Sequence, residues 1–282
     1  MNPTLFTLTL CGIGLGAGAI GSLVGLGGGF IVVPALTLLF GVNIRLAIGA
    51  SIISVIATSS GAAAAYVREH ITNLRIGMFL EIATTLGAIT GAYLASIVEP
   101  RLLFVLFGVV LAYSAVAMVR GFKEHAAVAT VTQRASDRIA DRLDLHDSYY
   151  DEAEQRDISY SVSRTKVGLG LMYIAGTVSG LLGVGSGTLK VPAMDLAMGL
   201  PIKVSTATSN FMIGVTAAAS AGVYFARGDV QPTIAAPVAI GVLVGALGGS
   251  RVLPRLRGQR VRQLFVVILV LISADMLWKG VH

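Results

Sequence analysis

The stretch Gly21-Ser-Leu-Val-Gly-Leu-Gly-Gly-Gly-Phe-Ile-Val-Val-Pro34 returns 158 residues later as Ser179-Gly-Leu-Leu-Gly-Val-Gly-Ser-Gly-Thr-Leu-Lys-Val-Pro192. Gly25, Gly27, Gly29, Val33 and Pro34 fall on Gly183, Gly185, Gly187, Val191 and Pro192 without a gap. The same offset carries Ser51 to Ser209, Thr58 to Thr216, Tyr66 to Tyr224, and Gly87, Ala88 and Gly91 to Gly245, Ala246 and Gly249. A fixed register held over about seventy residues means a duplicated unit. In both copies a glycine cluster interrupts an apolar segment. Paired interruptions in the two halves of a membrane protein point to a transporter's binding site.

Composition sets the class. Apolar residues make up 55% of the chain and charged ones 13%, where a soluble domain would carry about a quarter charged. Of the 36 charges, 17 lie between Arg120 and Lys166, so the rest of the chain is a sparsely charged, polytopic membrane protein. The net charge of +6 reads as the excess of Lys and Arg that orients membrane proteins, not as nucleic-acid binding. Cys11 stands alone, which excludes an intramolecular disulfide and a cysteine-based metal cluster. The start, Met1-Asn-Pro-Thr, has no basic run and no small-residue cleavage site follows, so the first apolar run is expected to stay as a helix.

Uninterrupted apolar spans cover 44–66, 76–97 and 101–120, and again 202–225, 232–253 and 261–279. Each is near the ~20 residues that cross a hydrocarbon core. Segments 4–40 and 166–199 would each be about 50 Å long as one helix, against a core of about 30 Å, so each must break or tilt. The glycine cluster marks the break, and Pro34 and Pro192 suit the first turn of the short helix that follows, or a kink. If each break folds the chain back, each half crosses an odd number of times. The central loop, Arg68, Arg75, Lys203 and the run Arg251, Arg255, Arg257, Arg260 and Arg262 then share one side. That side holds 16 basic residues against four, namely Arg45, Arg101, Arg227 and Lys279. A single bent crossing would divide them 12 against 8. The positive-inside bias favours the first arrangement. The expected fold is therefore all-α, with two inverted repeats of about 4–5 helices each over 1–120 and 166–282 and glycine-broken hairpin helices.

Residues 121–165 read as a charged, solvated cytoplasmic connector. Val131, Ala135, Ile139 and Leu143 recur every four residues and predict a short amphipathic helix; Ile158, Tyr160 and Val162 alternate and predict a brief strand. A regulatory or partner-docking role is the alternative, with no motif behind it.

The repeated element Gly25-Leu-Gly-Gly-Gly-Phe-Ile-Val-Val-Pro34 with Ala50-Ser-Ile-Ile-Ser54, and Gly183-Val-Gly-Ser-Gly-Thr-Leu-Lys-Val-Pro192 with Ala207-Thr-Ser-Asn210, resembles the sulfite exporter TauE/SafE family of bacterial membrane transporters. The resemblance covers essentially the whole chain. It implies transport of small sulfur-containing or carboxylate anions, such as sulfite or sulfoacetate, across the bacterial cytoplasmic membrane. The second copy departs from a plain glycine loop through Ser186 and Lys190.

A glycine-rich break that starts a short helix leaves free N–H groups and a positive helix end, which suits an anion. Gly25, Gly27, Gly28 and Gly29 with Gly183, Gly185, Ser186 and Gly187 are accordingly candidate substrate-binding residues. Ser51, Ser209 and Asn210 add hydroxyl and amide donors, with the alternative that they bond to their own or a neighbouring helix. The ionisable residues within spans are Glu81, Lys190, Asp195 and Asp275, and the offset pairs them with Ala239, Val32, Thr37 and Ala117, so none is duplicated. Lys190 is the best positive anchor, with snorkelling as its alternative. Glu81 and Asp195 are candidates to carry a coupling proton, although Glu81 can equally pair with a basic neighbour. Asp275 reads as interfacial. Tyr66 and Tyr224, near span ends, read as interface anchors.

Small pairs such as Gly14/Gly18, Gly87/Gly91 and Gly241/Gly245/Gly249 read as helix packing. Gly16-Ala-Gly-Ala-Ile-Gly21 matches a dinucleotide fingerprint only formally, with no strand–turn–helix unit around it. No metal-ligand spacing and no catalytic triad can be assembled, so neither a cofactor nor an enzyme activity is expected. The partners expected are a small anion and the bilayer, with a homo-oligomer as an option and no nucleic acid. An alternating-access transporter is the leading reading. An anion channel and a membrane-embedded enzyme stand as alternatives.

Overall fold

The computed structural model describes residues 3–24, 27–68, 70–127, 137–152, 154–185, 187–252 and 258–281. Of the residues singled out above, Gly25, Ser186, Val131, Ala135, Arg255 and Arg257 lie outside the described residues. The helices in chain order are α1 (Pro3–Val24), α2 (Gly29–Pro34), α3 (Ile44–Arg68), α4 (Leu74–Ile97) and α5 (Pro100–Ala127). After them come α6 (Arg138–Arg142), the strands β1 (Asp147–Asp151) and β2 (Arg156–Tyr160), then α7 (Thr165–Leu182) and α8 (Gly187–Pro192). The chain closes with α9 (Ile202–Ala226), α10 (Pro232–Ser250) and α11 (Gly258–Val281). The 158-residue offset maps α2 onto α8 and α3 onto α9 end to end, and it maps the starts of α4 and α5 onto those of α10 and α11.

Five helices among the described residues are long and apolar enough to cross a membrane: Thr4–Leu23 within α1, α3, α4, α7 and α10. Their outward faces carry Leu8, Ile82, Leu86, Ile240 and Val244, all exposed, as lipid contact requires. α9 is as long as α3 but is not among the five. Lys203, Thr206, Thr208, Ser209, Asn210 and Thr216 make it polar, and all of them are buried. α9 and α3 lie against each other, with α10 on α3 and α4 on α9; α1 packs on α10, α7 on α4, and α5 on α11. Exchanging the two halves interchanges α1·α10 with α7·α4 and α10·α3 with α4·α9, and returns α3·α9 and α5·α11 to themselves.

Glycines set how close the outer pairs come. A Cβ on Gly18 would collide with the Val242 carbonyl, and one on Gly176 with the Thr84 carbonyl, the same contact seen from the other half. Gly87 and Gly91 meet Tyr173 and Thr177 as Gly245 and Gly249 meet Leu15 and Ala19. Small residues let membrane helices approach backbone to backbone, so these sets pack helices as expected.

Each glycine break turns the chain back. The ring of Phe40, at the end of the returning arm, lies 5.4 Å from that of Phe6 at the start of α1. In the second half the Met198 carbonyl accepts from the Ser163 amide at 3.1 Å, just before α7 begins. Pro34 and Pro192 end the first α-helical turns of the returning arms and lead into π-helical turns, Ala35–Leu39 and Ala193–Ala197. Each is the sixth residue of its α-helical segment, beyond the first turn, so of the two placements expected the kink is the one that fits. A proline inside a helix lacks the N–H for its bond to residue i−4, and a widened turn reassigns the neighbouring carbonyls.

The connector is not simply solvated. Leu145, Tyr149, Asp151 and Val162 are buried, and the antiparallel β1–β2 pair lies across the starts of α4 and α9. Ile158 and Tyr160 fall on β2 as their alternation predicts, with Val162 two residues beyond its end; Ile139 lies on α6, a helix of five residues that stops before Leu143. Asn73 caps α4 through Oδ1, which accepts from the Ile76 amide at 3.0 Å. Its Nδ2 donates to the Leu145 carbonyl at 3.1 Å and to the Tyr160 hydroxyl at 3.0 Å. Asp137 Oδ2 accepts from both the amide (2.6 Å) and the hydroxyl (2.8 Å) of Thr165 at the start of α7. Composition reads this segment as solvated because its charges are counted together; two of those charges, Asp137 on Thr165 and Asp151 on Lys203, help to hold it.

Candidate functional site

The two breaks use glycine where backbone geometry demands it. Gly27 and Gly28 (φ +79° and +72°) and Gly183 and Gly185 (φ +67° and +81°) lie in the left-handed region, which side chains with a Cβ rarely adopt. Gly29 and Gly187 open α2 and α8. The breaks touch each other. The Ser51 hydroxyl donates to the Gly183 carbonyl at 2.7 Å. A methyl group on Gly29 would sit 2.6 Å from that hydroxyl and 2.9 Å from the same carbonyl.

A helix leaves its last four carbonyls without intrahelical partners, and here those carbonyls lie in the protein interior. Tyr66 donates its hydroxyl to Ser22 O at 3.0 Å, and Tyr224 donates to Gly180 O at 2.6 Å. Asn210 Nδ2 adds a bond of 2.9 Å to Ser22 O. Tyr66 and Tyr224 are wholly buried, so they are internal caps rather than the interface anchors their position near span ends implied. Ser51 and Asn210 likewise spend donors on backbone carbonyls. Ser209 is buried on α9. Asn210 Oδ1 and Thr206 Oγ1 are buried with no hydrogen-bond partner among the described residues.

The ionisable residues converge more sharply. Lys190, three residues into α8, is fully buried. Its ammonium donates to Thr216 Oγ1 at 2.6 Å and lies 3.5 Å from Glu81 Oε2. Thr216 in turn donates to Glu81 Oε1 at 2.6 Å, and the Thr85 hydroxyl reaches the same oxygen at 3.1 Å. Glu81 therefore pairs with Lys190 across the two halves, the basic neighbour that its sequence left open. Thr58, the repeat counterpart of Thr216, bonds back to Ser54 O at 2.9 Å as Thr216 does to Met212 O at 3.0 Å; the second copy adds the contacts to Lys190 and Glu81. Asp195 is buried in the π-helical turn beyond α8; the contacts to Lys190 come from Glu81 and Thr216. Among the described residues no group of His, Cys, Asp and Glu is arranged to hold a metal ion.

Glycine breaks that meet between two halves and a buried cation–carboxylate contact beside one of them are transporter features. A sequence model of the family described as "Sulfite exporter TauE/SafE" matches residues 10–276. The chain belongs to the TauE/SafE family. It is 28% identical to the "Probable membrane transporter protein YunE" of Bacillus subtilis over 95% of this chain and 96% of that one. A "Probable membrane transporter protein" of Xylella fastidiosa is 25% identical over 92% and 90% of the two chains. A third relative, "Probable membrane transporter protein YdhB" of Bacillus subtilis, is 29% identical over 83% and 85%. No solved structure matches this TauE/SafE chain. It is a multi-pass membrane protein and a membrane transporter.

One pair escaped the sequence reading. Lys203, in the first turn of α9, and Asp151, at the end of β1, are 2.8 Å apart and both buried. The 158-residue offset itself held a signal, because it places Lys203 on Arg45, a duplicated cation at the start of the equivalent helix.

Proposed function

We propose that this chain is a secondary transporter moving a small sulfur-containing or organic anion, such as sulfite or sulfoacetate, across the bacterial cytoplasmic membrane by alternating access. The observation that carries the reading is the buried contact of Lys190 with Glu81 and Thr216, which joins α8 of one half to α4 of the other. In this reading the anion takes the Lys190 ammonium together with backbone N–H groups at the glycine breaks, those of Gly28 and Gly187 at the starts of α2 and α8. Glu81 competes for the same ammonium. A proton on Glu81 releases Lys190 to the anion; loss of that proton restores the ion pair and expels the anion. Proton and anion then move together, which avoids carrying a bare charge through the membrane. Asp195 serves as a second proton carrier.

Alternating access follows from two halves related as inverted repeats. Supporting this are the exchanged helix contacts and the chain reversal at each glycine break, which gives an odd number of passes per half. Arg45 at the start of α3 reaches Val98 O beyond the end of α4, at 3.2 Å, while the Asn73 amide just before α4 reaches Thr208 near the start of α9, at 3.1 Å. α3 and α9 therefore run in opposite directions. The charge distribution supports a cytoplasmic position for residues 121–165.

The test is counterflow. Purified protein in proteoliposomes preloaded with unlabelled anion is expected to take up labelled sulfite or sulfoacetate with saturation, and phosphate poorly. Uptake linear in concentration and indifferent to preloading would instead indicate a channel.

A further inference from the structure

The Lys203–Asp151 pair lies at the end of the α4–α9 pair whose interior holds the Lys190 site. β1 and β2 bridge two helix starts: Asn73, before α4, bonds Tyr160 and Leu145, and Lys203, in α9, bonds Asp151. Eight residues further along α4, about 12 Å at helical rise, Glu81 meets Thr216 of α9. The hairpin thus straps the end of the α4–α9 pair that encloses the buried site.

The carboxylate is held as a ligand would be. Asp151 Oδ1 accepts from Lys203 Nζ at 2.8 Å and from the Glu154 amide at 3.2 Å, and Oδ2 accepts from the Tyr149 hydroxyl at 3.1 Å. Desolvating two charges often costs more than their attraction returns, so an apolar contact would fix the hairpin better. What an ion pair adds is that a second anion can replace one member. At the opposite end, Arg45 holds the repeat-equivalent position. Its Nη2 donates to Val98 O at 3.2 Å, its Nε is buried without a hydrogen-bond partner, and it forms no ion pair among the described residues.

We infer that Asp151 is a tethered anion plugging one mouth of the transport path. Its carboxylate occupies, on Lys203, the place an oxyanion takes on entering from that side, and Arg45 is the matching, unplugged receptor at the other mouth. A carboxylate, sulfonate or sulfite presents the same paired oxygens as Asp151 and competes with it; anion binding lifts the hairpin and opens that end. The inference rests on the anion-transport reading.

Two substitutions break the same ion pair and separate a plug from a strut. Asp151→Asn keeps the shape of the hairpin and removes the competing charge. Lys203→Gln removes the receptor. With sulfite as the probe and full-length protein in proteoliposomes, Asp151→Asn is expected to raise the initial rate at low sulfite about tenfold, the scale of one charge-assisted contact. Lys203→Gln is expected to lower it, and Arg45→Gln to lower entry from the opposite side only. Asp151→Glu, which restores the charge, returns the rate toward the parent. If Asp151→Asn and Lys203→Gln both lower the rate alike, or both leave it unchanged, while the parent transports sulfite, the pair is a strut and the plug is overturned with the transport reading intact. A parent and variants that move no sulfite, sulfoacetate or lactate overturn both.

Discussion

The hydroxyl of Tyr66 caps Ser22 O at the end of α1, and the hydroxyl of Tyr224 caps Gly180 O at the end of α7. Both tyrosines and both carbonyls are 158 residues apart. The duplication therefore copies a solution to the polar problem each glycine break creates: a helix end inside an apolar wall needs a donor from elsewhere. Removing the hydroxyl leaves a buried acceptor unpaired, which costs roughly 1–3 kcal/mol. Tyr66→Phe and Tyr224→Phe are each expected to lower the thermal midpoint of the detergent-solubilised protein, where Tyr113→Phe, an exposed tyrosine, is neutral.

Glycine packing makes a sharper contrast. Gly18→Ala and Gly176→Ala drive a methyl into a facing carbonyl, while Gly12→Ala and Gly170→Ala meet nothing within 4 Å. The first two are expected to destabilise by about 1–3 kcal/mol through forced separation of the helices. The second two are expected to be neutral or slightly stabilising, since alanine is the better helix former. Unfolding midpoints of the four single variants check this.

Lys190 and Glu81 are coupled, which changes what a deletion does. Taken alone, Lys190 reads as a buried charge whose removal relieves the fold. Its pairing reverses that. Lys190→Met or Glu81→Leu alone leaves an uncompensated buried charge or a shift in protonation, at a cost of roughly 3–5 kcal/mol. The double variant is expected to recover much of this, giving a clear interaction energy in a double-mutant cycle. Additive losses would show that the two groups do not meet.

Residues that lie near each other in sequence were legible, and long-range partners were not. The offset located the breaks, the returning arms and the starts of α4 and α5 against α10 and α11, because duplication is a register and needs no tertiary information. Glu81 and Lys190 stood out singly because ionisable groups are rare in apolar spans. Their contact joins residues of opposite halves, and no local pattern encodes it. Tyr66 and Tyr224 were misplaced because nearness to a span end says nothing about which way a side chain faces. Asp151 was hidden by composition: in a run of mixed charges, the one carboxylate that is buried looks like the rest.

The docked connector carries a pH signature at Asp137. Burial pushes its carboxyl up, but the Thr165 amide and hydroxyl and the Ile139 and Ala140 amides favour the ionised form and hold it below the ordinary 3.8. A group with a depressed folded-state pKa contributes stability that is present above its unfolded value and lost as pH falls through the folded one. The attachment of the connector to α7 is therefore expected to stay constant from neutral pH to about pH 5 and to weaken only below about pH 4. Limited proteolysis of the connector across that range reads it out. Asp137→Asn is expected to raise cleavage at neutral pH and to remove this acid-dependent step.

The central claim is that Glu81 and the transported anion compete for Lys190, so that a proton on Glu81 drives anion movement. The most direct measurement compares the parent with Glu81→Gln in proteoliposomes, following labelled sulfite under an imposed pH gradient and, separately, in exchange with no gradient. The parent is expected to accumulate sulfite against its concentration when the gradient is applied. Glu81→Gln, which cannot lose a proton, is expected to retain exchange and to lose the gradient-driven accumulation. Equal accumulation by both proteins would contradict the account.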